Sequence, residues 1–364
     1  MSGRPRVAYL LTQDRGGPVD VTVRLAATLI SSGLADVRVF GPTPARGADL
    51  LDDHHEEISV PRKGDVVAAR RTRAALRAWR PDVVHAQDRR AGLVSAGLRS
   101  TAVVHTYHGV PDDVCEQWFR GIPGASAPSA YTRAVLAADA LVARKLHRTI
   151  VPAPAMGRFL ADRLRVPANR LTQIDNCVAP TAIRLPSGPV RHLAFVGLLV
   201  ARKGVLDLLT ALSMPGVMPS DGRLTVIGDG PQRSAAEQLA DEVPLRGKVR
   251  FLGFRADVPD LLLAFDALVL PSYMEQQPLV VAEAMAAGKP VVATDTGGVA
   301  DMVGASGYLA QPGDVPGLAD RLRTLFDDPD PAGTGQELAT RAQARFTPEA
   351  CARRHLELYE DVLG

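Results

Sequence analysis

Cysteine is scarce in this 364-residue chain: only Cys115, Cys177 and Cys351 occur, scattered and odd in number. This pattern indicates neither a disulfide framework nor a cysteine-based zinc site. Aromatic residues make up 5% of the chain. No apolar run approaches the roughly 20 residues that are needed to cross a bilayer. We therefore expect a packed globular protein without a membrane span.

No targeting segment is expected either. The strand-like run Val7–Leu11 begins almost at the N-terminus, which leaves no room for the apolar core and cleavage site of a signal peptide. The cytoplasm is the expected compartment, with the inner face of the membrane as the place of any peripheral contact.

The net charge is only +2, but it is unevenly distributed. Residues 1–185 hold 26 Lys and Arg against 17 Asp and Glu, whereas residues 186–364 hold 16 against 23. Such asymmetry indicates that the two halves meet different partners. A basic stretch of the first half lies on or near one predicted helix and comprises Arg62, Lys63, Arg70, Arg71, Arg73, Arg77 and Arg80.

This basic stretch leaves two interpretations open. It could attract an anionic acceptor or an anionic lipid surface, or it could be an ordinary solvated helix face. Single-stranded nucleic acid is disfavoured, because only Trp79 lies nearby to stack on bases.

Short β-rich runs alternate with helical patterns along the whole chain, which predicts parallel sheets built from βαβ units. The length suits two α/β domains, and we predict them at residues 1–182 and 190–346. The proline-rich segment Ala179–Pro189 is interpreted as the linker, and a last helix within 347–364 as crossing back to the first domain. The predicted strands are Val7–Leu11, Val37–Phe40, Val83–His85, Val103–Thr106, Thr149–Val151, Leu171–Ile174, His192–Val196, Arg223–Ile227, Val249–Phe251, Ala267–Leu270 and Val291–Thr294.

The segment from residue 270 to residue 298 carries the clearest chemical signal. Glu275 is expected in a turn after a strand, Pro278 as the first residue of a helix, and Glu283 one to two turns inside that helix. Two carboxylates placed in this way can address two ends of one ligand. The free N–H groups of Leu279 and Val280 at the helix start predict an anion site between them.

These residues belong to a wider set of motifs. Glu275, seven residues and Glu283 are followed by AMAAGKPVVAT, and PDVVH, TYHG, KG and IGDGP occur in order before them. In this order the chain resembles the retaining GT-B glycosyltransferases of family 4, also called glycosyl transferases group 1. The resemblance implies an α/β fold of two Rossmann-like, doubly wound domains that face each other across a cleft. It covers nearly the whole chain.

The resemblance also implies roles for single residues. Glu283 would bind the ribose hydroxyls of a sugar nucleotide, Glu275 the hydroxyls of its sugar, and Lys203 its diphosphate. His108 would face the leaving phosphate and the sugar from the opposite domain. The catalytic set is therefore His108, Glu275 and Lys203. The other donor-binding positions are Gly16 and Gly17 at the diphosphate, Gly228 and Gly230 at the nucleoside, Phe254 and Arg255 at the base, and Arg202, Gln276, Gln277, Leu279, Val280 and Glu283.

The chain departs from the family pattern at three places. Leu198 stands where the family has an arginine for the diphosphate, and Arg202 is the candidate substitute. Gln276-Gln277-Pro278 replaces Gly-aromatic-Gly, so a glutamine side chain could serve the sugar instead. Cys177 replaces a glycine before the linker. Donor specificity therefore cannot be copied from relatives.

The implied activity is the transfer of a hexose-type sugar, with retained configuration, from a nucleoside-diphosphate sugar to an acceptor hydroxyl. The acceptor would be a natural product, a glycan or a lipid, and the nucleotide UDP or GDP. No cofactor and no metal are expected, and the acidic and histidine-containing run 52–57 is interpreted as a loop. A sugar-nucleotide epimerase of the same fold and a non-catalytic binder remain the alternatives. A Rossmann dehydrogenase is disfavoured because no Gly-x-Gly-x-x-Gly follows the first strand.

Overall fold

The computed structural model describes residues 4–62 and 64–364, so Lys63 of the basic stretch lies outside the described residues. The chain forms two compact units. The first unit runs up to Val178 and also includes Pro348–Gly364, and the second is Ala179–Thr347. The chain therefore leaves the first unit once and returns to it once.

Within the described residues, the first unit contains one sheet of seven strands, all paired in parallel. The strands are β1 (Arg6–Leu10), β2 (Asp36–Gly41), β3 (His55–Glu57), β4 (Val83–Ala86), β5 (Ala102–Thr106), β6 (Arg148–Val151) and β7 (Leu171–Gln173). Their order is β3-β2-β1-β4-β5-β6-β7, so the direction of winding reverses between β1 and β4. Ligands of doubly wound sheets bind at such a reversal, outside the carboxyl ends of the strands.

Helices connect these strands and bury one apolar face each. They are α1 (Gly17–Ser32), α2 (Val66–Trp79), α3 (Arg89–Ser95), α4 (Glu116–Phe119), α5 (Ala130–Lys145) and α6 (Pro154–Arg158). The first of them, α1, buries Val19, Val23 and Ala26, and Gly33 ends it in the left-handed conformation.

The second unit contains a six-stranded parallel sheet in the part of the chain that the structure describes. Its strands are β8 (His192–Val196), β9 (Arg223–Ile227), β10 (Val249–Gly253), β11 (Ala267–Leu270), β12 (Val291–Thr294) and β13 (Tyr308–Ala310). Its helices are α7 (Val205–Ser213), α8 (Arg233–Ala240), α9 (Val258–Leu262), α10 (Leu279–Ala286), α11 (Val299–Val303), α12 (Val315–Phe326) and α13 (Pro331–Arg345). The order β10-β9-β8-β11-β12-β13 reverses between β8 and β11.

The last helix, α14 (Pro348–Leu363), packs on α1 in the first unit. Polar groups in the core connect it to the sheet. The hydroxyl of Tyr359 hydrogen-bonds to the Tyr9 hydroxyl at 2.9 Å and to Nδ1 of His85 at 2.7 Å. On the same helix, burial lowers the pKa of His355 to about 4. Burial also lowers the pKa of His85 well below its ordinary value, so both rings are kept neutral.

All eleven predicted strands occur, with ends that differ by at most two residues. Two further strands, β3 and β13, were not predicted. The prediction that residues 52–57 form a loop is wrong: a short 3₁₀ turn, Asp52–His54, leads into β3. Strand β3 is a three-residue edge strand of His and Glu, so it lacks the apolar alternation by which strands are recognised.

The predicted linker, Ala179–Pro189, contains neither helix nor strand. It is nevertheless bound to the second unit by two hydrogen bonds at Arg184. The N–H of Arg184 donates to the Ala287 carbonyl at 3.0 Å, and the Lys289 ammonium donates to the Arg184 carbonyl. Among the described residues, no helix has the length and apolar character that a membrane crossing requires. No group of three or more potential metal ligands was found in the same residues.

Candidate active site

Two charged side chains meet at the carboxyl edge of the second sheet. Lys203 follows β8 and Glu275 follows β11, the strands between which the winding reverses. The ammonium of Lys203 donates a hydrogen bond to Oε1 of Glu275, and these side chains are only 17% and 9% exposed. A largely buried charge pair of this kind is stable only when both partners are present. The structure thus brings together two residues that are 72 positions apart in the chain.

A close backbone approach places Lys203 beside β11. Gly204 has a φ of +69°, and a Cβ there would stand 2.1 Å from the carbonyl oxygen of Pro271. The N–H of Tyr273 donates to the Arg202 carbonyl at 2.8 Å across the same junction. Only glycine fits such a position, so the Lys-Gly pair of the sequence has a structural cause.

The loop after β12 fixes the backbone at Glu275. The Glu275 N–H donates to Oγ1 of Thr296 at 3.2 Å, and the Gly298 N–H donates to the Gln276 carbonyl at 2.7 Å. Between them, Gly297 has a φ of +56° and lies so close that a Cβ would stand 1.9 Å from the Glu275 carbonyl oxygen. Thr296 and Gly297 were not among the predicted site residues, although the sequence contains them in the Thr-Gly-Gly that follows a buried strand.

The residues after Glu275 lead into α10. Gln276 has both polar atoms of its side-chain amide buried without a hydrogen-bond partner, and Gln277 is 6% exposed. The prediction that Pro278 is the first helical residue is wrong by one position, because Pro278 is extended and α10 begins at Leu279. The Pro278 carbonyl accepts the N–H groups of Val281 and Ala282.

The N–H groups of Leu279 and Val280 precede these first intrahelical bonds, so they have no acceptor within α10. Glu283 is the fifth residue of α10 and is half-buried. Gly288 follows the C-terminal end of the helix, with a φ of +75°.

The residues assigned to the nucleoside lie after β9 and β10. Gly228 and Gly230 face the backbone of Gly197 and Leu199, with which a Cβ would clash. Phe254 is 75% exposed, and the Arg255 guanidinium pairs with Asp257. Leu198, where the family has an arginine, is 61% exposed. The residues after β9 and β10 lie on the side of β8 opposite to β11, the strand that Glu275 follows.

The first unit holds the other predicted residues. Gly16 caps α1, with a φ of +106°, and Gly17 is the first residue of that helix, which follows β1 after the loop of residues 11–16. His108 follows β5, and its Nε2 lies 3.2 Å from Oε1 of Gln87, which follows β4. Burial, with His105 and His355 nearby, lowers the pKa of His108 to about 3, so its ring is neutral.

Sequence reasoning missed a polar network that surrounds His108. Arg89 pairs with Asp139 at 2.7 Å and donates to the Tyr107 hydroxyl at 3.0 Å and to the Gly109 carbonyl at 2.7 Å. The Tyr107 hydroxyl donates to Asp139 as well. The only sequence signal was position, since Gln87 and Arg89 directly follow the carboxyl end of a strand.

Comparisons with known proteins agree with this architecture. The model of Glycosyltransferase Family 4 matches residues 15–181, and that of Glycosyl transferases group 1 matches residues 190–328. The glycogen synthase of Mycobacterium tuberculosis is 31% identical over 284 residues, which are 75% of this chain and 66% of that protein. The 2-deoxystreptamine glucosyltransferase of Streptomyces kanamyceticus is 35% identical over 182 residues, which are 49% of this chain and 46% of that protein.

Solved structures have the same fold. HepE of Anabaena in complex with UDP superimposes with a TM-score of 0.81 at 20% identity, covering 98% of this chain and 100% of that one. The sucrose-phosphate synthase of Thermosynechococcus elongatus has a TM-score of 0.77 at 22% identity, with 99% of each chain covered. The aligned region is just under two thirds of the glycogen synthase and less than half of the glucosyltransferase. The chain belongs to the GT-B glycosyltransferases of family 4.

Proposed function

We propose that this chain is a retaining hexosyltransferase, which moves a sugar from a nucleoside diphosphate to an acceptor hydroxyl without a metal. The observation that carries the proposal is the pairing of Lys203 with Glu275 at the reversal of the second sheet. Ligands of doubly wound folds bind at this position. The pair offers a cation for a diphosphate next to a carboxylate that can accept hydrogen bonds from sugar hydroxyls.

The chemistry needs positive charge at the leaving group. Breaking the anomeric bond develops negative charge on the diphosphate, and preorganised cations and backbone dipoles stabilise it. Lys203 and the N–H groups of Leu279 and Val280 supply them, with Arg202 as a further cation in place of the family arginine. Retention fits same-face attack, in which the leaving phosphate takes the proton of the acceptor hydroxyl. No side chain is therefore assigned as a nucleophile.

UDP is the first nucleotide to test, and GDP the second. HepE of Anabaena is described in complex with UDP and with UDP-glucose. In this chain, the exposed ring of Phe254 offers a base a surface for stacking, and Glu283 would accept hydrogen bonds from the ribose. The acceptor class is open among natural products, glycans and lipids, as the relatives include a glycogen synthase, an aminocyclitol glucosyltransferase and a lipopolysaccharide core glycosyltransferase.

The test is binding and turnover against UDP-, GDP-, ADP- and dTDP-sugars without metal, for wild type, Glu283→Ala and Glu242→Ala. Glu242 is an exposed glutamate of the same unit, so its variant controls for the loss of one carboxylate. We expect one donor to bind and to be slowly hydrolysed, and Glu283→Ala to weaken its binding by roughly tenfold to a hundredfold, the cost of hydrogen bonds to a charged group. A Glu283 variant with the affinity of the Glu242 variant would refute the donor site.

The same assay separates the two alternatives. An epimerase would return an epimeric sugar, and a non-catalytic binder would hold the donor without hydrolysis or transfer. A binder would be consistent with Leu198 and with the Gln276-Gln277-Pro278 segment, the two departures from the family pattern.

We also propose that the first unit meets an anionic lipid surface or an acceptor presented on one. Arg70, Arg71 and Arg77 are exposed on α2, a helix without acidic residues, and Val66 and Val67 at its start are 58% and 59% exposed. Beside this end of α2 lies a cavity of about 250 Å³, lined by arginine among other residues. Basic residues near such a membrane contribute about 1 kcal/mol each.

Sedimentation with vesicles tests this contact. Arg70→Gln with Arg71→Gln should weaken binding to phosphatidylserine-containing vesicles about thirtyfold, as two basic residues contribute about 2 kcal/mol together. Arg250→Gln with Arg321→Gln removes the same charge from exposed positions of the second unit and should have little effect. Equal binding of both double variants would exclude α2 as the contact surface.

A further inference from the structure

His108 and Gln87 form one of two equivalent cross-strand pairs on the same face of the first sheet. Strands β4 and β5 are parallel neighbours, with Ala86 opposite His105. Because side chains alternate along a strand, His85 and Gln87 share a face with Thr106 and His108. The first pair is joined by His85 Nε2 and Thr106 Oγ1 at 2.7 Å, and the second by Gln87 Oε1 and His108 Nε2 at 3.2 Å.

The backbone around His108 is held independently of this pair. Arg89 donates to the Gly109 carbonyl and to the hydroxyl of Tyr107, so both neighbours of His108 are fixed by one guanidinium. That guanidinium is anchored in turn by Asp139 of α5. What these bonds leave free is the rotation of the His108 ring, and the contact with Gln87 restricts that rotation.

The chemistry of the contact determines which ring nitrogen carries the proton. The carbonyl oxygen of an amide only accepts, so Nε2 of His108 must be the donor. A neutral imidazole has one N–H, which leaves Nδ1 as an acceptor. The titratable groups near this ring are His85 of β4, His105 of β5 and His355 of α14, and burial keeps His108 neutral among them. Gln87 is 2% exposed and its N–H donates to the Leu10 carbonyl at 3.0 Å, so it is a fixed reference point.

We propose that Gln87 is a positioning residue, which holds His108 in the Nε2–H form and thereby presents Nδ1 as the acceptor for a substrate hydroxyl. The acceptor role of Nδ1, the second half of this inference, rests on the proposed transfer reaction. The tautomer of His108, the first half, is a property of the protein alone. The inference goes beyond the role that the resemblance implies for His108, because it assigns the tautomer and the residue that sets it.

Nitrogen NMR of ring-labelled histidine tests the first half without substrate. The His108 signals are identified by their loss in His108→Asn. In the wild type at pH 7 we expect a protonated Nε2 and an unprotonated Nδ1. Gln87→Met, similar in size but without the carbonyl, should give a mixture of both tautomers. Gln117→Met, at an exposed position of the same unit, should leave the signals unchanged.

Gln87→Glu is the rescue variant. Its carboxylate still accepts from Nε2, so the Nε2–H form should persist at pH 8. The negative charge raises the pKa of His108, because it stabilises the imidazolium. The imidazolium has no acceptor nitrogen, so turnover of this variant should fall toward low pH earlier than that of the wild type.

Donor hydrolysis tests the second half. Gln87→Met should lower kcat in proportion to the share of His108 that leaves the Nε2–H form in the NMR spectrum, because only that share lacks an acceptor nitrogen for the hydroxyl. The inference is overturned if the wild type carries the proton on Nδ1, if Gln87→Met keeps the wild-type tautomer, or if the tautomer changes and kcat does not. If the wild type hydrolyses no nucleotide sugar, the proposed function fails, and the NMR result alone decides the positioning role.

Discussion

At the scale of single residues, the position of Glu275 depends on a residue that carries no side chain. Gly297 allows the loop after β12 to contact the backbone of Glu275 and Gln276, and the hydrogen bonds of Thr296 and Gly298 lie on either side of it. A Cβ at this place would meet a backbone oxygen, which cannot rotate away as a flexible side chain can. The carboxylate would have to move with its backbone.

Gly297→Ala should therefore lower the free energy of unfolding of the second unit by about 2–4 kcal/mol, since left-handed strain and overpacking add. Gly216→Ala is the matched control, because Gly216 has a φ of +72° but nothing within 4 Å of the added Cβ. It should cost only the strain, about 1 kcal/mol. Urea unfolding of both variants measures the difference, and equal costs would show that the loop adjusts without resistance. We also expect Gly297→Ala to lose donor binding.

At the scale of elements, the helix α14 connects to the sheet through buried rings whose neutral form is required. Burial lowers the pKa of His355 from 6.5 to about 4, so the folded state binds its proton more weakly than the unfolded state does. The stabilisation is then complete above about pH 6.5 and is lost as the pH falls toward 4. His85, next to it, acts in the same direction.

Unfolding measured between pH 7 and pH 4 checks this expectation. For each histidine of this kind, stability should fall by about 1.4 kcal/mol per pH unit within the window. The side chain of His355→Gln is uncharged at every pH. The free energy of unfolding of this variant should therefore depend on pH less steeply than that of the wild type, by the uptake of about one proton. A variant whose slope equals that of the wild type would contradict the assignment.

Whether an element could be predicted from the sequence depended on its length and its apolar content. Strands such as His192–Val196 and Ala267–Leu270 were predicted with their observed bounds because apolar residues fill nearly all of their positions. Strand β13, Tyr308–Ala310, was missed because three residues between a glycine and a polar turn carry no periodicity. Pro278 was placed one residue too far into its helix, since proline suits both positions and sequence does not separate them.

At the scale of the whole molecule, the resemblance named Lys203 and Glu275 separately, and the fold joins them. Their contact depends on the order of the strands, which places β8 next to β11 rather than next to β10. Nothing local to either residue encodes that order. The pairing of Gln87 with His108 depends in the same way on β4 lying beside β5. Motifs therefore indicated the chemistry of the candidate site, whereas partners such as Thr296 and Arg89 required the three-dimensional structure.

The first unit is discontinuous in the chain, because residues 179–347 intervene before α14 completes it. Ribosomes make chains from the N-terminus, so every residue of the second unit emerges before the helix that the first unit needs. The nascent first sheet must wait for α14 with the α1 surface that this helix covers still uncovered. The second unit, although it is encoded after most of the first, is thus fully synthesised before the first unit is.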